Sequence, residues 1–183
     1  MASSLPTLRG RLVDLSVQLP VNIAAIKSRS LGSICGVVVH HSATPRTVTS
    51  TQIWHYHRFV LDWPSIAYHY TIYPNGCVAK TLEPTYVGYH CASRQTRENI
   101  SVVNWESIGV CLIGCFIDGV SPTPEQESGL VALIRYLDGM LRQAGTTLRP
   151  LYVMGHGDGD YPTRCPGDNF HRWLDPCVKQ ARS

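Results

Sequence analysis

The sequence predicts a single α/β domain with a central mixed β-sheet flanked by helices. Three observations lead to this fold class. The chain has 183 residues, which is close to the length of one domain. Short β-branched apolar runs alternate with segments of helical period along the chain. An Asn-Gly turn between two further strand-like runs predicts a hairpin, which makes part of the sheet antiparallel.

The first predicted elements lie between residues 36 and 80. Val37 to Val39 form a β-branched run typical of a buried strand, which ends at His40 and His41. Thr49 or Ser50 is the expected N-cap of a helix that extends toward Pro64. Residues 67–73 and 77–80 flank a Pro-Asn-Gly turn and are predicted to pair as a hairpin.

The second half of the chain adds two strands and two helices. Residues 107–113 are apolar enough for a third buried strand. The spacing of leucines after Pro124 has helical period, with Thr123 as the predicted cap and Gly145 as the predicted end. Residues 151–154 predict a last short strand that leads into His156, and residues 170–178 predict a closing helix. In such sheets functional side chains gather beyond the strand ends.

Residues 1–33 differ in composition from the rest and are predicted to form an N-terminal arm, with the main domain at 34–183. This segment carries four basic residues and one acidic residue. It is either an arm that binds a partner or a poorly ordered, solvated terminus. It contains no apolar run long enough for a signal peptide core.

Composition excludes several classes of protein. With 44% hydrophobic and 16% charged residues, the chain is too apolar to be disordered. A net charge of +3 is too small for the strongly basic surface that binds nucleic acid, so no nucleic acid is expected as a partner. No stretch approaches eighteen uninterrupted apolar residues, so no membrane span is expected.

Three residues with metal-binding side chains lie where the predicted strands end. His40 ends the first buried strand, His156 follows the last one, and Cys165 comes nine residues later in a loop. A catalytic zinc ion commonly takes three such ligands and leaves a fourth position for water. The chain has no Cys-x-x-Cys pair, which disfavours a closed structural zinc site. Each residue alone is weak evidence, and the constellation is what suggests a site.

Six blocks of sequence resemble one family. The chain is similar to zinc-dependent N-acetylmuramoyl-L-alanine amidases of type 2, a family that includes phage endolysins and animal peptidoglycan recognition proteins. The resemblance extends roughly from residue 36 to residue 173. The matching blocks, in the family's order, are VVVHHSAT at 37–44, SIAYHYTIYPNG at 65–76, GYHCAS at 88–93, ESIGVCLIG at 106–114, PTPEQ at 122–126 and GHGDGDYPTRCPG at 155–167.

The resemblance implies a cofactor, an activity and roles for particular residues. It implies Zn²⁺ held by His40, His156 and Cys165, with Tyr68 and Thr163 as catalytic residues. The implied reaction is hydrolysis of the amide bond between N-acetylmuramic acid and L-alanine in peptidoglycan. Four more residues are candidates for substrate contact or for support of the ligands: His41, His69, His90 and Arg164.

The short chain, with no visible signal peptide, favours a phage or prophage endolysin that lyses bacteria. Such a protein is expected to be a monomer, to be made in the host cytoplasm and to act on the cell wall after release. The basic arm is a candidate contact with the cell envelope. Two alternatives remain: a non-catalytic peptidoglycan-binding recognition protein and a cytoplasmic muropeptide-recycling amidase. Cys111 stands where recycling amidases tend to carry Glu, which disfavours the second alternative.

Other interpretations of the same residues are weaker. Ser42 beside His41 lacks the Gly-x-Ser-x-Gly elbow of a serine hydrolase. Asp158 and Asp160 lack the pattern of a calcium-binding EF-hand loop and fit a Gly-Asp turn. Four aromatic residues are either core residues or the lining of a sugar groove: Trp54, Trp63, Tyr89 and Trp105.

The chain has seven cysteines, an odd number. If Cys165 is a metal ligand, six cysteines remain, which is the number that three disulfides would require. A protein that accumulates in cytoplasm normally keeps its thiols reduced, so free thiols are expected. The six are Cys35, Cys77, Cys91, Cys111, Cys115 and Cys177.

Overall fold

The computed structural model describes residues 8, 10–144 and 150–183, and it confirms the predicted fold class. A six-stranded mixed sheet has the strand order β1-β4-β3-β7-β2-β8, and a separate two-stranded ribbon joins β5 to β6. The strands are β1 (Leu12–Asp14), β2 (Gly36–His41), β3 (Tyr70–Ile72), β4 (Val78–Lys80), β5 (Thr96–Arg97), β6 (Ile100–Ser101), β7 (Ser107–Leu112) and β8 (Tyr152–Gly155). The helices are α1 (Ser50–His55), α2 (Val102–Glu106), α3 (Pro124–Gln143) and α4 (His171–Arg182).

Four neighbouring strands, β3, β7, β2 and β8, run parallel and form the centre of the sheet. Every residue of β2 and of β7 is buried, which explains their nearly continuous apolar sequence. The predicted hairpin forms between β3 and β4, which pair antiparallel. Gly76 in its turn has φ of +77°, a conformation that favours glycine. Because the central strands are parallel, their carboxyl ends meet at one edge.

The two longer predicted helices begin at their predicted caps. Thr49 and Thr123 each form a capping box with a glutamine three residues later. The first helix is α-helical only to His55 and continues as a π-helical turn over Tyr56–Val60, short of the predicted end near Pro64. The predicted end of α3 at Gly145 lies outside the described residues. The α3 and α4 helices pack together over the hydrophobic core.

The described part of residues 1–33 packs against the rest of the chain. Its strand β1, which the sequence analysis did not predict, pairs in parallel with β4. Leu19, Ile26 and Arg29 from the same segment are buried. The boundary at residue 33 stays a prediction, but the described residues on its two sides share one sheet. No helix in the described ranges is long and apolar enough to cross a membrane.

Candidate metal centre

The parallel pairing of β2 with β8 brings His40 and His156 together. Val39 is opposite Gly155 in the register, so the next residue of each chain segment lies just beyond the paired region. The two imidazole rings have their centroids 4.7 Å apart. His40 is 1% exposed, whereas His156 begins a short 3₁₀ turn and is half-buried. The two histidines predicted as metal ligands therefore meet at the carboxyl edge of the sheet.

Two thiols flank the His40 ring, one at each nitrogen. Cys165 Sγ lies 3.6 Å from His40 Nδ1, and Cys91 Sγ lies 3.9 Å from His40 Nε2. Potential ligand atoms of His40, Cys91 and His156 all lie within 4.8 Å of one another. The structure thus places all three predicted ligands around one ring and adds Cys91, which the sequence analysis counted only among the free thiols.

The side chains present at this site fit a zinc ion. Among the residues that the structure describes, only two buried side-chain polar atoms lack a hydrogen-bond partner, and one of them is His156 Nε2. Buried polar atoms are nearly always paired in proteins, so an unpaired ring nitrogen beside a thiol is suited to bind a metal ion. Imidazole and thiolate together are the ligand types that zinc prefers.

His90 forms a hydrogen bond with the His40 ring. Its Nδ1 lies 3.1 Å from His40 Nε2, and the ring is 6% exposed. Gly109 on β7 makes room for it, because a Cβ atom there would stand 2.7 Å from the His90 ring. The His90 backbone N–H donates to Asn104 Oδ1, which fixes the loop that carries it. The predicted supporting role of His90 agrees with this contact and remains a prediction.

Burial controls the protonation of these imidazoles. It lowers the pKa of His40 well below the usual value, and the nearby His90 and His156 lower it further. Burial likewise lowers the pKa of His156. Both rings are therefore neutral at pH 7, which is the form that binds a metal.

The two residues predicted to be catalytic lie on either side of this group. The Tyr68 ring centroid is 5.3 Å from that of His40, and the Cys111 thiol is among the groups near its hydroxyl. Burial raises the pKa of Tyr68 well above its usual value, so the hydroxyl keeps its proton. Thr163 Oγ1 accepts a hydrogen bond from the Cys165 backbone N–H at 3.1 Å. Its own hydroxyl proton remains available to donate.

The side chains of three other predicted residues bond to groups other than the thiols, although the His41 backbone carbonyl lies 4.0 Å from Cys165 Sγ. His41 points to the opposite face of β2, where its Nδ1 accepts a hydrogen bond from the Phe116 backbone N–H at 3.0 Å. Arg164 is exposed and pairs with Asp168 and Asp118. His69 is fully buried, and its ring contacts the backbone of Gly109 and Tyr86 and the Arg29 guanidinium. The structure does not test their predicted roles.

A cavity of about 480 Å³ opens beside the site. It is lined by His156, by the segment around Cys91 and by two of the four aromatic candidates, Trp63 and Tyr89. The other two have different places: Trp105 is in the core, and Trp54 donates to the Pro20 carbonyl.

Asp158 and Asp160, which lack a calcium-binding pattern, accept hydrogen bonds from residues near the cavity. Asp158 Oδ2 accepts a hydrogen bond from the Gly155 backbone N–H. Asp160 Oδ2 accepts hydrogen bonds from the Ser93 hydroxyl and the Arg94 backbone N–H, both at 3.0 Å. The Asp160 bonds connect the loop before Cys165 to the loop after Cys91.

All seven cysteines carry free thiols. Cys91, Cys111 and Cys177 are buried, and Cys35 is exposed. The sequence did offer a signal for Cys91, since it directly follows His90 in the block GYHCAS. This signal is weak, because Cys91 contacts His40, which is 51 residues away in sequence.

The fold and the site define an α/β protein with a candidate metal centre at the carboxyl edge of its sheet. The chain belongs to the N-acetylmuramoyl-L-alanine amidase family, whose model matches residues 30–168. This match confirms the resemblance that the six sequence blocks predicted. No curated protein matches the chain in sequence.

Solved structures of the same fold include amidases and recognition proteins. N-acetylmuramoyl-L-alanine amidase LysC from Clostridium intestinale is 23% identical with a TM-score of 0.66, over 93% of this chain and 97% of that one. The Ph2119 endolysin from a Thermus scotoductus bacteriophage is 20% identical with a TM-score of 0.66, over 93% and 99%. Drosophila peptidoglycan recognition protein SD is 20% identical with a TM-score of 0.69, over 94% of each chain. At these identities the likeness shows the fold.

Proposed function

We propose that this protein is a zinc-dependent amidase that hydrolyses the bond between N-acetylmuramic acid and L-alanine in peptidoglycan. The observation that carries the proposal is the unpaired His156 Nε2 beside His40 and two thiols, within a chain of the amidase family. Structural neighbours support the substrate class. Peptidoglycan recognition protein LE is known in complex with tracheal cytotoxin, a monomeric diaminopimelic acid-type peptidoglycan.

His40, His156 and Cys165 would hold the zinc ion. Zinc at such a site lowers the pKa of water toward 7 and polarises a carbonyl oxygen. His90 would keep His40 in one orientation through their 3.1 Å contact, which is the usual role of a group that hydrogen-bonds a metal-binding histidine. Neutral imidazoles, which burial enforces here, are the form that this role requires.

Tyr68 and Thr163 would act on the substrate amide. Tyr68 keeps its proton at neutral pH and is suited to donate a hydrogen bond to the carbonyl oxygen as negative charge develops there. Thr163 would supply a second donor, because the hydrogen bond from the Cys165 backbone uses only its oxygen. Trp63 and Tyr89 would provide apolar surface for the sugar or stem peptide in the adjacent cavity.

The biological setting is part of the proposal. We infer a phage or prophage endolysin that acts as a monomer, is made in the host cytoplasm and reaches the wall after release. The Ph2119 endolysin of a Thermus scotoductus bacteriophage, which shares the fold over 93% of this chain, supports this choice. Residues 1–33 would contact the cell envelope through exposed basic side chains such as Arg11 and Lys27.

Non-catalytic recognition of peptidoglycan is the second candidate, because recognition proteins share the fold. The thiol of Cys165 at 3.6 Å from His40 Nδ1 favours catalysis, since a binding module needs no metal ligand there. A recycling amidase that acts on soluble muropeptides would differ in substrate: it would cut fragments and leave intact walls uncleared.

The test measures bound zinc, loss of turbidity of purified cell walls and newly exposed alanine amino groups. We expect a chelator to abolish hydrolysis and added zinc to restore it. Cys165→Ser should lower the rate by more than about 100-fold. Cys35→Ser, which changes an exposed thiol, should retain full activity.

Full lysis by a zinc-free protein would refute the mechanism. Release of reducing sugar ends without new alanine amino groups would refute the bond specificity. Wall binding without any hydrolysis by the zinc-loaded protein would favour the recognition module.

A further inference from the structure

The two thiols beside His40 face different nitrogens of one ring. Cys165 Sγ is closest to Nδ1, and Cys91 Sγ is closest to Nε2. A neutral imidazole offers only one nitrogen as a metal ligand, because the other carries the proton. One ion therefore cannot use the nearby thiols on both sides of this ring at the same time. The arrangement allows two alternative ion positions: one at Nδ1 beside Cys165, with His90 still bonded to Nε2, and one at Nε2 beside Cys91, where the ion would displace the His90 contact.

The position at Cys91 has the closer group of potential ligands. Ligand atoms of His40, Cys91 and His156 lie within 4.8 Å of one another. Zinc–ligand bonds of about 2.0–2.3 Å place tetrahedral ligands about 3.5 Å apart, so binding requires these atoms to approach by about 1 Å. Cys91 and His156 both line the cavity, which provides a path for the ion. His156 Nε2 has no partner among the described residues.

We propose that Cys91 is a second thiolate ligand, which with His40 and His156 forms an ion position that competes with the one at Cys165. The inference rests on the metal site of the proposed function and not on its amidase activity. An ion at Cys91 occupies the cavity side of His40, whereas Thr163 is bonded to Cys165 on the other side. Only an ion at Cys165 is then next to Thr163. Cys91 thus gives the metal ion an alternative binding position, separate from the catalytic position at Cys165.

The test counts sulfur ligands of zinc by X-ray absorption and measures the zinc dissociation constant. The proteins are Cys165→Ser, the double variant Cys165→Ser/Cys91→Ser, and the matched control Cys165→Ser/Cys35→Ser. We expect Cys165→Ser and its control to bind one zinc ion with one sulfur neighbour. The double variant should bind zinc at least about 10-fold more weakly and without sulfur.

The proposal is overturned if Cys165→Ser binds no zinc, or binds zinc without a sulfur ligand. It is also overturned if adding Cys91→Ser changes neither the affinity nor the sulfur count. Should Cys165→Ser fail to fold, as judged by circular dichroism, Cys165→Ala takes its place. That change keeps the backbone N–H that donates to Thr163.

The outcomes distinguish this proposal from the proposed function. Wild-type protein that binds zinc through sulfur but cleaves no wall would refute the amidase and leave the Cys91 position standing. Active wild-type protein with a Cys165→Ser variant that lacks zinc would refute the Cys91 position and leave the amidase standing.

Discussion

Two groups of buried histidines lie close together in this protein, and they differ in how their nitrogens are paired. His69 is fully paired: its Nδ1 accepts a hydrogen bond from the Gly109 backbone N–H at 2.9 Å, and its Nε2 donates to the Tyr86 carbonyl at 3.0 Å. In the other group, His156 Nε2 is buried with no hydrogen-bond partner in the described structure, and His40 has a thiol near each nitrogen.

The difference separates a structural group from a ligand-binding one. A paired buried histidine stabilises the fold, whereas an unpaired one costs free energy that must be balanced by a ligand or by the rest of the fold. Residue type alone does not distinguish them, since both groups consist of histidines at or near strand ends.

The structural group also contains a buried cation. Arg29, which is 8% exposed, donates hydrogen bonds to the carbonyls of Pro84, Asn104, Trp105 and Ser107. Burial lowers its pKa to about 10, so it stays charged at neutral pH. Arg29 therefore joins the N-terminal segment to the loop at Pro84, to α2 and to the start of β7.

Removing Arg29 is expected to have the largest effect on folding. Arg29→Met leaves four carbonyls without their charged donor, and we expect the free energy of unfolding to fall by about 3 kcal/mol or more. Urea denaturation of the metal-free protein measures it. Lys27→Met, which removes an exposed ion pair with Glu98, should change stability by less than about 1 kcal/mol. Equal losses in the two variants would contradict the structural role of Arg29.

Removing His156 should give the opposite result. We expect His156→Ala to lower the hydrolysis rate by more than about 100-fold, a loss of about 2.7 kcal/mol in transition-state stabilisation. The stability of the metal-free protein should change by less than about 1 kcal/mol, because the ring nitrogen that is lost has no partner. Cell-wall hydrolysis and urea denaturation in a chelator measure the two quantities. A destabilisation as large as that of Arg29→Met would place His156 in the structural group.

The sequence predicted the sheet and the region of the site because both depend on local patterns. The run Val37–Val39 and the cap at Thr123 indicate a strand and a helix directly. Strand β1 was missed because three residues, of which Leu12 is half-buried and the other two are exposed, carry no clear alternation.

The pairing state of the histidines and the contact of Cys91 with His40 could not be predicted for another reason. Both depend on contacts between residues far apart in sequence, such as Cys91 with His40 and His69 with Gly109. A single sequence shows which side chains can bind a metal, but not which of their nitrogens the backbone already occupies.

The smallest expected effect is the pH dependence of stability that His69 contributes, and it tests directly whether the paired histidine stays neutral in the folded protein. Burial, together with the nearby Arg29 guanidinium, lowers the pKa of His69 to about 3, from 6.5 in the unfolded chain. The folded protein therefore resists a proton that the unfolded chain takes up as the pH falls below 6.5. The stability contributed by neutral His69 is complete above pH 6.5 and is lost as the pH falls toward 3. Between pH 7.5 and pH 5 the loss is about 2 kcal/mol.

His69→Gln removes this titration, because glutamine takes up no proton in this range. The variant should be less stable than the wild type at pH 7.5, and the difference should shrink by about 2 kcal/mol at pH 5. Urea denaturation in a chelator at both pH values measures it, and His55→Gln is the control because His55 is exposed. A difference that stays constant with pH would mean that His69 is protonated equally in the folded and unfolded chains. His69, whose two ring nitrogens are both paired, would then no longer differ from the unpaired histidines in the way proposed.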